Sequence, residues 1–224
     1  MKEIKKRRLP AGIQSFTAIR EGGYAYVDKT DIVWQIVNEG DKYNYLSRPR
    51  RFGKSILVDT LQCYLEGRKE LFEGLKIMQF EKDWVKHPVI HFDMSGAGSS
   101  REELTSFFED TFEEYEKKYG IVSHPKTLSK RFKNIIMTAR EQSGQKVAVL
   151  IDEYDSPLQH SWKTPHHEEC TEVYRTVFAI LKEADEYEKF VFITGITKFT
   201  QISLFSVLNN LSNISFDAPY AALC

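Results

Sequence analysis

The strongest constraint on the fold is a short loop between a predicted strand and a predicted helix. Residues 42–47 are rich in strand formers, and residues 56–65 carry apolar side chains at helical spacing before Gly67. The residues between them, 48–55, have the sequence Arg-Pro-Arg-Arg-Phe-Gly-Lys-Ser. Gly-Lys-Ser at the start of a helix is suited to holding phosphate, because backbone N–H groups curl around the anion. We refer to residues 48–55 as the phosphate loop.

The residue types in the phosphate loop fit a nucleotide and Mg²⁺. Lys54 can reach the β- and γ-phosphate oxygens, and the Ser55 hydroxyl can ligate the metal ion. The positions expected to contact ATP are Arg48, Pro49, Arg50, Arg51, Phe52, Gly53, Lys54, Ser55 and Ile56. Arg48 stands where the general pattern has its first glycine, so the loop is a variant. Taken alone, the motif fits an ordinary helix N-terminus with a solvated lysine about equally well.

Three arginines lie close together in the phosphate loop, at positions 48, 50 and 51. Their like charges repel, so an anion is expected among them. We expect at least one of them to contact the triphosphate or an acidic surface of a partner. The alternative is that all three point into solvent.

A second motif favours the nucleotide interpretation. Residues 146–155, Lys-Val-Ala-Val-Leu-Ile-Asp-Glu-Tyr-Asp, form an apolar run that ends in acids, which is typical of a strand buried on both faces. Ligands of open α/β sheets bind at the carboxyl ends of the strands. We expect Asp152 to hold hydrated Mg²⁺ and Glu153 to polarise the water that attacks the γ-phosphate. The alternative is a strand cap followed by a turn at Asp155-Ser-Pro157.

A third buried strand is predicted at residues 189–194, Lys-Phe-Val-Phe-Ile-Thr. A polar side chain at its tip can sense the γ-phosphate or position the attacking water. Thr194 is the first candidate for this role and Thr197 the second. A threonine that is satisfied by its own turn is the alternative for each.

Strands and helices alternate along the whole chain. Further helices are predicted at 31–40, 101–120, 126–142 and 168–186, and further strands at 87–93 and 213–217. Ser100 and Glu103 form a capping box that starts the second of these helices. Strands separated by helices predict an α/β fold with a mostly parallel sheet and right-handed crossovers. One domain over residues 1–224 is expected, with an N-terminal segment at 1–40 and the core at 41–224.

The motifs together resemble a family, the predicted AAA-ATPases of bacteria and archaea. The resemblance spans nearly the whole chain, and it rests on the segments 9–16, 24–30, 47–55, 151–155, 194–199 and 203–211. It implies a P-loop NTPase three-layer sandwich with strand order 5-1-4-3-2, and ATP and Mg²⁺ as ligands. The arginine-rich phosphate loop is usual in this family. The resemblance also implies that Tyr26 packs against the adenine, although a staple between the first helix and the core is the alternative.

In this family the ATPase module often precedes a restriction-endonuclease-like nuclease domain. The apolar residues 220–224 predict that the chain stops before a helical lid and any such domain. Nothing recognisable as that nuclease precedes this point in the sequence.

Composition narrows the partners and the compartment. Lys and Arg number 31 against 32 Asp and Glu, so no net charge draws the domain to nucleic acid, although the basic residues 5–8 leave a contact possible. Three cysteines without Cys-x-x-Cys spacing predict reduced thiols and a cytoplasmic protein. No stretch is long and apolar enough to predict a membrane span.

Several functions stay open on the sequence. The first is an ATPase that drives or switches an attached domain. The second is a regulatory module that binds ATP without hydrolysing it until a partner or a homo-oligomer supplies an arginine. A small-molecule phosphotransferase is a distant third, because no acceptor-site arginines or lid follow the acidic strand.

Overall fold

The computed structural model describes residues 7–123, 125–196 and 210–220. In this part of the chain five strands form one sheet in which every pairing is parallel. The strands are β1 (Tyr43–Ser47), β2 (Val89–Asp93), β3 (Val147–Asp152), β4 (Glu188–Gly195) and β5 (Ser212–Asn213). Their spatial order is β2-β3-β4-β1-β5, which is 5-1-4-3-2 when it is read from the other edge. The predicted order is therefore confirmed.

Helices cover both faces of the sheet. They are α1 (Phe16–Glu21), α2 (Thr30–Asn38), α3 (Lys54–Leu65), α4 (Arg101–Lys118), α5 (Leu128–Ser143), α6 (Ser156–Ser161) and α7 (His167–Glu183). Helices α1, α2 and α3 share one apolar cluster with the sheet, and α4, α5 and α7 share the other. The three layers follow from this arrangement, since each face of the sheet needs a helical cover.

Strand β3 shows why the sheet lies in the middle. All six of its residues are buried. Val147, Val149 and Ile151 face the cluster of α4, α5 and α7, whereas Ala148 and Leu150 face the cluster of α3. The continuous apolar run of the sequence thus serves two faces at once, as predicted for a parallel strand.

Local sequence signals account for most helix ends. The capping box of Ser100 and Glu103 is present at the start of α4, which confirms that prediction. Gly144 ends α5 with a φ of 67°, a left-handed conformation that glycine adopts without a steric penalty. Helix α3 begins at Lys54, directly after Gly53, whose φ of 76° is left-handed, so Gly-Lys-Ser stands at the start of the helix as predicted.

Two predicted elements differ from the structure. The strand predicted at 213–217 pairs only at Ser212–Asn213, and residues 214–216 form a 3₁₀ turn. The Asn213 side chain accepts a hydrogen bond from the Ser215 N–H, which favours a turn over an extended strand. Asp155-Ser-Pro157 begins the short helix α6 rather than a simple turn, since proline is well tolerated in a first helical turn.

Candidate functional site

The phosphate loop lies at the carboxyl edge of the sheet, beside the end of β4. Ser47 pairs with Gly195, and the Arg48 N–H donates to the Gly195 carbonyl at 3.1 Å. Arg51 and Gly53 both have positive φ, at 68° and 76°, so the loop turns sharply twice before α3 begins. The first N–H groups of α3 have no partner within the helix and carry its positive dipole end. The loop therefore presents a site suited to an anion.

The Lys54 side chain lies inside the curve of the phosphate loop. It is buried, with 4% of the residue exposed. The ammonium group donates to the carbonyl oxygens of Arg48 and Pro49, each at 3.1 Å. An ammonium carries three N–H donors and no acceptor, so these contacts hold a positive charge inside the curve of the loop. This is the position that the sequence predicts for a group that contacts phosphate oxygens.

Asp152 and Thr194 meet across the neighbouring strands β3 and β4. Asp152 is 4% exposed and Thr194 is fully buried. The Thr194 hydroxyl donates to Asp152 Oδ1, which also accepts the Glu153 N–H at 3.0 Å. The two predicted site residues are thus brought together, and the strand order explains it, because β3 and β4 are adjacent and parallel.

Glu153 lies at the point where β3 becomes a turn. Its φ of 50° places it in the left-handed region, which is rare for a residue with a side chain. Burial raises the pKa of the Glu153 carboxyl above its ordinary value, and the Asp152 carboxylate beside it raises it further. Lys54 and Arg50 of the phosphate loop lower it, and Asp93 of β2 raises it. Charges from two strands, β2 and β3, and from the phosphate loop thus converge on this one carboxyl group.

Asp93 ends β2 directly beside Asp152 in the register of the sheet. Its side chain accepts the Ser95 N–H at 3.0 Å and caps the turn that follows. The Asp93 carboxylate also raises the pKa of Glu153.

The three arginines of the phosphate loop are in different surroundings. The Arg48 guanidinium donates to the Ser47 carbonyl at 3.1 Å and to the Ser215 carbonyl. Arg50 and Arg51 are exposed, as is Phe52 with half of its surface accessible. Arg48 therefore connects the phosphate loop to the turn after β5. The side chains of Arg50 and Arg51 are the exposed arginines of this loop.

Tyr26 packs on the outer side of α3. Its ring meets Phe16 edge-to-face at 5.1 Å, and its hydroxyl lies 3.5 Å from Thr60 Oγ1. Burial raises its pKa to about 12. These contacts are those of a staple between the N-terminal segment and α3. A role at the adenine stays a prediction, and Thr197 lies outside the described residues.

Sequence reasoning missed two buried groups next to Glu153. Asp155 is fully buried and accepts the Ile196 N–H at 2.9 Å and the Gln159 amide at 2.6 Å. Tyr174 of α7 donates its hydroxyl to the Tyr154 carbonyl at 2.7 Å. An acid directly before Ser-Pro is a helix-start signal that could have singled out Asp155. Tyr174 carries no such signal, because it stands in the apolar stripe of a helix.

The parallel sheet in the order 5-1-4-3-2, with a Gly-Lys-Ser loop after β1 and an acidic β3, defines a fold of the P-loop NTPase type. Comparison with known families agrees. The family model described as predicted AAA-ATPase matches residues 10–205, and the chain belongs to this family.

A similar curated protein is the "Uncharacterized protein in vnfD 5'region" of Azotobacter chroococcum mcd 1. It is 37% identical over 225 residues, which cover 99% of this chain and 43% of that protein. The chain therefore spans less than half the length of this relative. Within the ranges that the structure describes, no helix combines the length and apolar character needed to cross a bilayer.

Proposed function

We propose that this chain binds ATP together with Mg²⁺ and hydrolyses the ATP, and that hydrolysis drives or switches an attached domain. One observation carries the proposal. The buried Lys54, the Asp152–Thr194 pair and the strained Glu153 all lie at the same carboxyl edge of one parallel sheet. This edge is where open α/β sheets bind ligands.

Each residue has a distinct role in this proposal. Lys54 binds the β- and γ-phosphate oxygens, and it exchanges its contacts with the Arg48 and Pro49 carbonyls for them. Ser55 and Asp152 hold the metal ion. Bound Mg²⁺ supplies positive charge that offsets the charge on the phosphates. Few protein ligands suffice, because Mg²⁺ keeps several waters and takes others from phosphate.

Glu153 orients the attacking water and accepts its proton. A raised pKa suits a general base, since efficiency is greatest when the pKa approaches the working pH. The Thr194 hydroxyl donates to Asp152, and its oxygen accepts the Glu153 N–H at 3.2 Å. It therefore fixes the relative positions of the metal-binding acid and the base.

An attached domain is part of the proposal for two reasons. More than half of the similar Azotobacter protein lies outside the matched region, since the match covers 43% of its length. The resemblance to predicted AAA-ATPases also suggests a nuclease-like domain as the partner.

The buried free thiols of Cys63 and Cys170 support the cytoplasm as the compartment.

Titration calorimetry with ATP and Mg²⁺ tests the binding step. Lys54→Ala should weaken ATP binding at least about 100-fold, because a charge-assisted contact to phosphate is lost. Lys82→Ala is the matched control, since the Lys82 ammonium also donates to a backbone carbonyl, that of Gln79 at 3.0 Å, on the exposed surface. Equal affinity in the Lys54 variant and the control would refute the nucleotide site.

Hydrolysis is tested on the same preparations by phosphate release. Turnover by the parent chain supports an ATPase. Tight binding of ATP without turnover would instead support the regulatory module, in which a partner supplies the missing group. Asp152→Asn should weaken only the Mg²⁺-dependent part of the affinity.

A further inference from the structure

The conformation of Glu153 is held from several sides by hydrogen bonds. A left-handed φ on a residue with a side chain costs free energy and persists only where the surroundings enforce it. The Glu153 carbonyl accepts the Ser156 N–H at 2.9 Å, and the Tyr154 N–H donates to the Thr194 carbonyl at 3.0 Å. These bonds fix the turn formed by residues 153–155 against the tip of β4.

Tyr174 adds a contact from another element. It lies on α7, 1% exposed, and its hydroxyl donates to the Tyr154 carbonyl at 2.7 Å. The rest of the buried face of α7 is almost wholly apolar, with Val173, Val177 and Phe178 in the same core cluster. A phenylalanine would fill this position with equal apolar area, so the hydroxyl serves the turn rather than the packing.

Asp155 anchors the other side of the same turn. Its carboxylate binds the Ile196 N–H directly after the Thr194-Gly195 tip of β4. Space is tight there, because a Cβ on Gly195 would lie 2.7 Å from the Tyr154 ring and 3.0 Å from Asp155 Oδ1. The turn therefore has little freedom to shift toward β4.

We propose that Tyr174 and Asp155 are positioning residues for Glu153, which hold the 153–155 turn so that the Glu153 carboxylate faces the phosphate site. The inference rests on the proposed function, because it assigns these residues a part in hydrolysis. Neither residue contacts phosphate in this arrangement. Their effect reaches the chemistry only through the direction of the Glu153 side chain, so they influence turnover and not nucleotide affinity.

Tyr174→Phe tests this by separating turnover from affinity. We expect kcat for ATP hydrolysis to fall about 10- to 100-fold, since a small misplacement of a catalytic group has effects of this size. The affinity for ATP and Mg²⁺ should stay within about twofold of the parent. Tyr115→Phe is the matched control, because the Tyr115 hydroxyl also binds backbone, accepting the His91 N–H of β2 at 2.7 Å, and makes no hydrogen bond to the 153–155 turn in the described structure. It should leave kcat unchanged.

Asp155→Asn provides a second variant that keeps the size and one acceptor of the side chain. The same loss of kcat at unchanged affinity supports the proposal. An unchanged kcat in a folded Tyr174→Phe protein, or equal losses of kcat and affinity, would overturn it. Failure of both variants to fold would also overturn it, because the groups would then hold the whole fold and not the turn. Absence of hydrolysis in the parent chain would instead reject the ATPase itself.

Discussion

The two ends of β4 both bury acidic groups, but they hold them in different ways. At the amino end Glu188 is fully buried and accepts the Tyr43 hydroxyl at 2.8 Å, and burial raises its pKa to about 8. At the carboxyl end Asp152 accepts both the Thr194 hydroxyl and the Glu153 N–H. Glu188 shares its hydroxyl donor with a second acid, Asp185, whereas Asp152 accepts from two donors.

The difference separates a buried acid of the core from the acid of the candidate site. The Tyr43 hydroxyl also lies 2.8 Å from Asp185, and Glu188 Oε1 has no hydrogen-bond partner among the described residues. Burial, aided by the nearby Asp185 carboxylate, keeps the proton on Glu188 to an unusually high pH, although the Tyr43 hydrogen bond and Lys42 lower the pKa. The carboxyl end faces the phosphate loop with its lysine and the start of α3, so negative charge is balanced there. Burial alone does not identify the site.

The largest expected contrast is in hydrolysis. Glu153→Gln should lower kcat about 1,000-fold, because the amide keeps the shape but cannot accept the proton of the water. ATP affinity should stay within about threefold. Glu188→Gln makes the same chemical change at the other end of β4 and should leave kcat at the parental value. Equal kcat for both variants in a phosphate-release assay would break the comparison and leave Glu153 as a strand cap.

The next contrast concerns stability and pH. The folded state holds a proton on Glu188 up to about pH 8, whereas the unfolded state releases it near the ordinary value of 4.5. Because the folded state binds more protons between these values, the free energy of unfolding falls as the pH rises through this window. Glu188→Gln removes that loss. We expect it to stabilise the protein by about 4 to 5 kcal/mol more at pH 8.5 than at pH 4.5, where the loss is almost absent.

Urea unfolding of the parent and of Glu188→Gln at the two pH values measures this effect. Glu153→Gln serves as the comparison, since the Glu153 carboxyl is only half-buried and its loss should change stability less. A gain from Glu188→Gln that is the same at both pH values would show that packing, and not the proton, is responsible.

The smallest expected effect is on the free energy of unfolding, and it concerns an exposed ion pair near the amino end of β4. Lys42 forms an ion pair with Asp185 at 2.8 Å, with side chains that are 30% and 53% exposed. Lys42→Met should lower the free energy of unfolding by less than about 1 kcal/mol, because exposed ion pairs are weak. Lys42 also lowers the pKa of Glu188, so its removal should raise that pKa and extend the fall in stability to higher pH.

Lys133→Met is the control for this variant. Lys133 pairs with Glu183 at 3.3 Å on the surface, away from Glu188. Lys133→Met should lower the free energy of unfolding by a similar amount without changing its dependence on pH. A shift of equal size in both variants would mean that Lys42 acts through general charge and not through its position.

The fold was largely predictable from the sequence. Long apolar runs and cap residues report on local structure, and β3 and α4 follow from them. The order of the strands was instead implied by the resemblance to predicted AAA-ATPases, and the structure confirms it. The short β5 was mispredicted because its outcome depends on a side-chain contact of Asn213 that propensity does not express. Helix α6 was missed because an acid before Ser-Pro starts both turns and helices.

The candidate site was predictable from the sequence only in part. Lys54, Asp152, Glu153 and Thr194 stand in motifs at strand ends, so their proximity follows from the parallel sheet. Tyr174 was not predictable, because its hydroxyl binds the backbone of a residue twenty positions earlier in the sequence. Arg48 has a backbone partner on Ser215 that no local pattern indicates. Contacts between distant segments through single side chains require coordinates.

The contacts of Ser215 give the phosphate loop a mechanical connection to the end of the described chain. Strand β5 pairs with β1 over only two residues. Immediately beyond it, the Ser215 hydroxyl accepts the Ser47 N–H at 2.7 Å, and the Ser215 carbonyl accepts the Arg48 guanidinium. A load applied at residue 220 therefore reaches the phosphate loop through these bonds and a short length of strand. We therefore expect tension on residues 216–220 to alter the geometry of the phosphate loop.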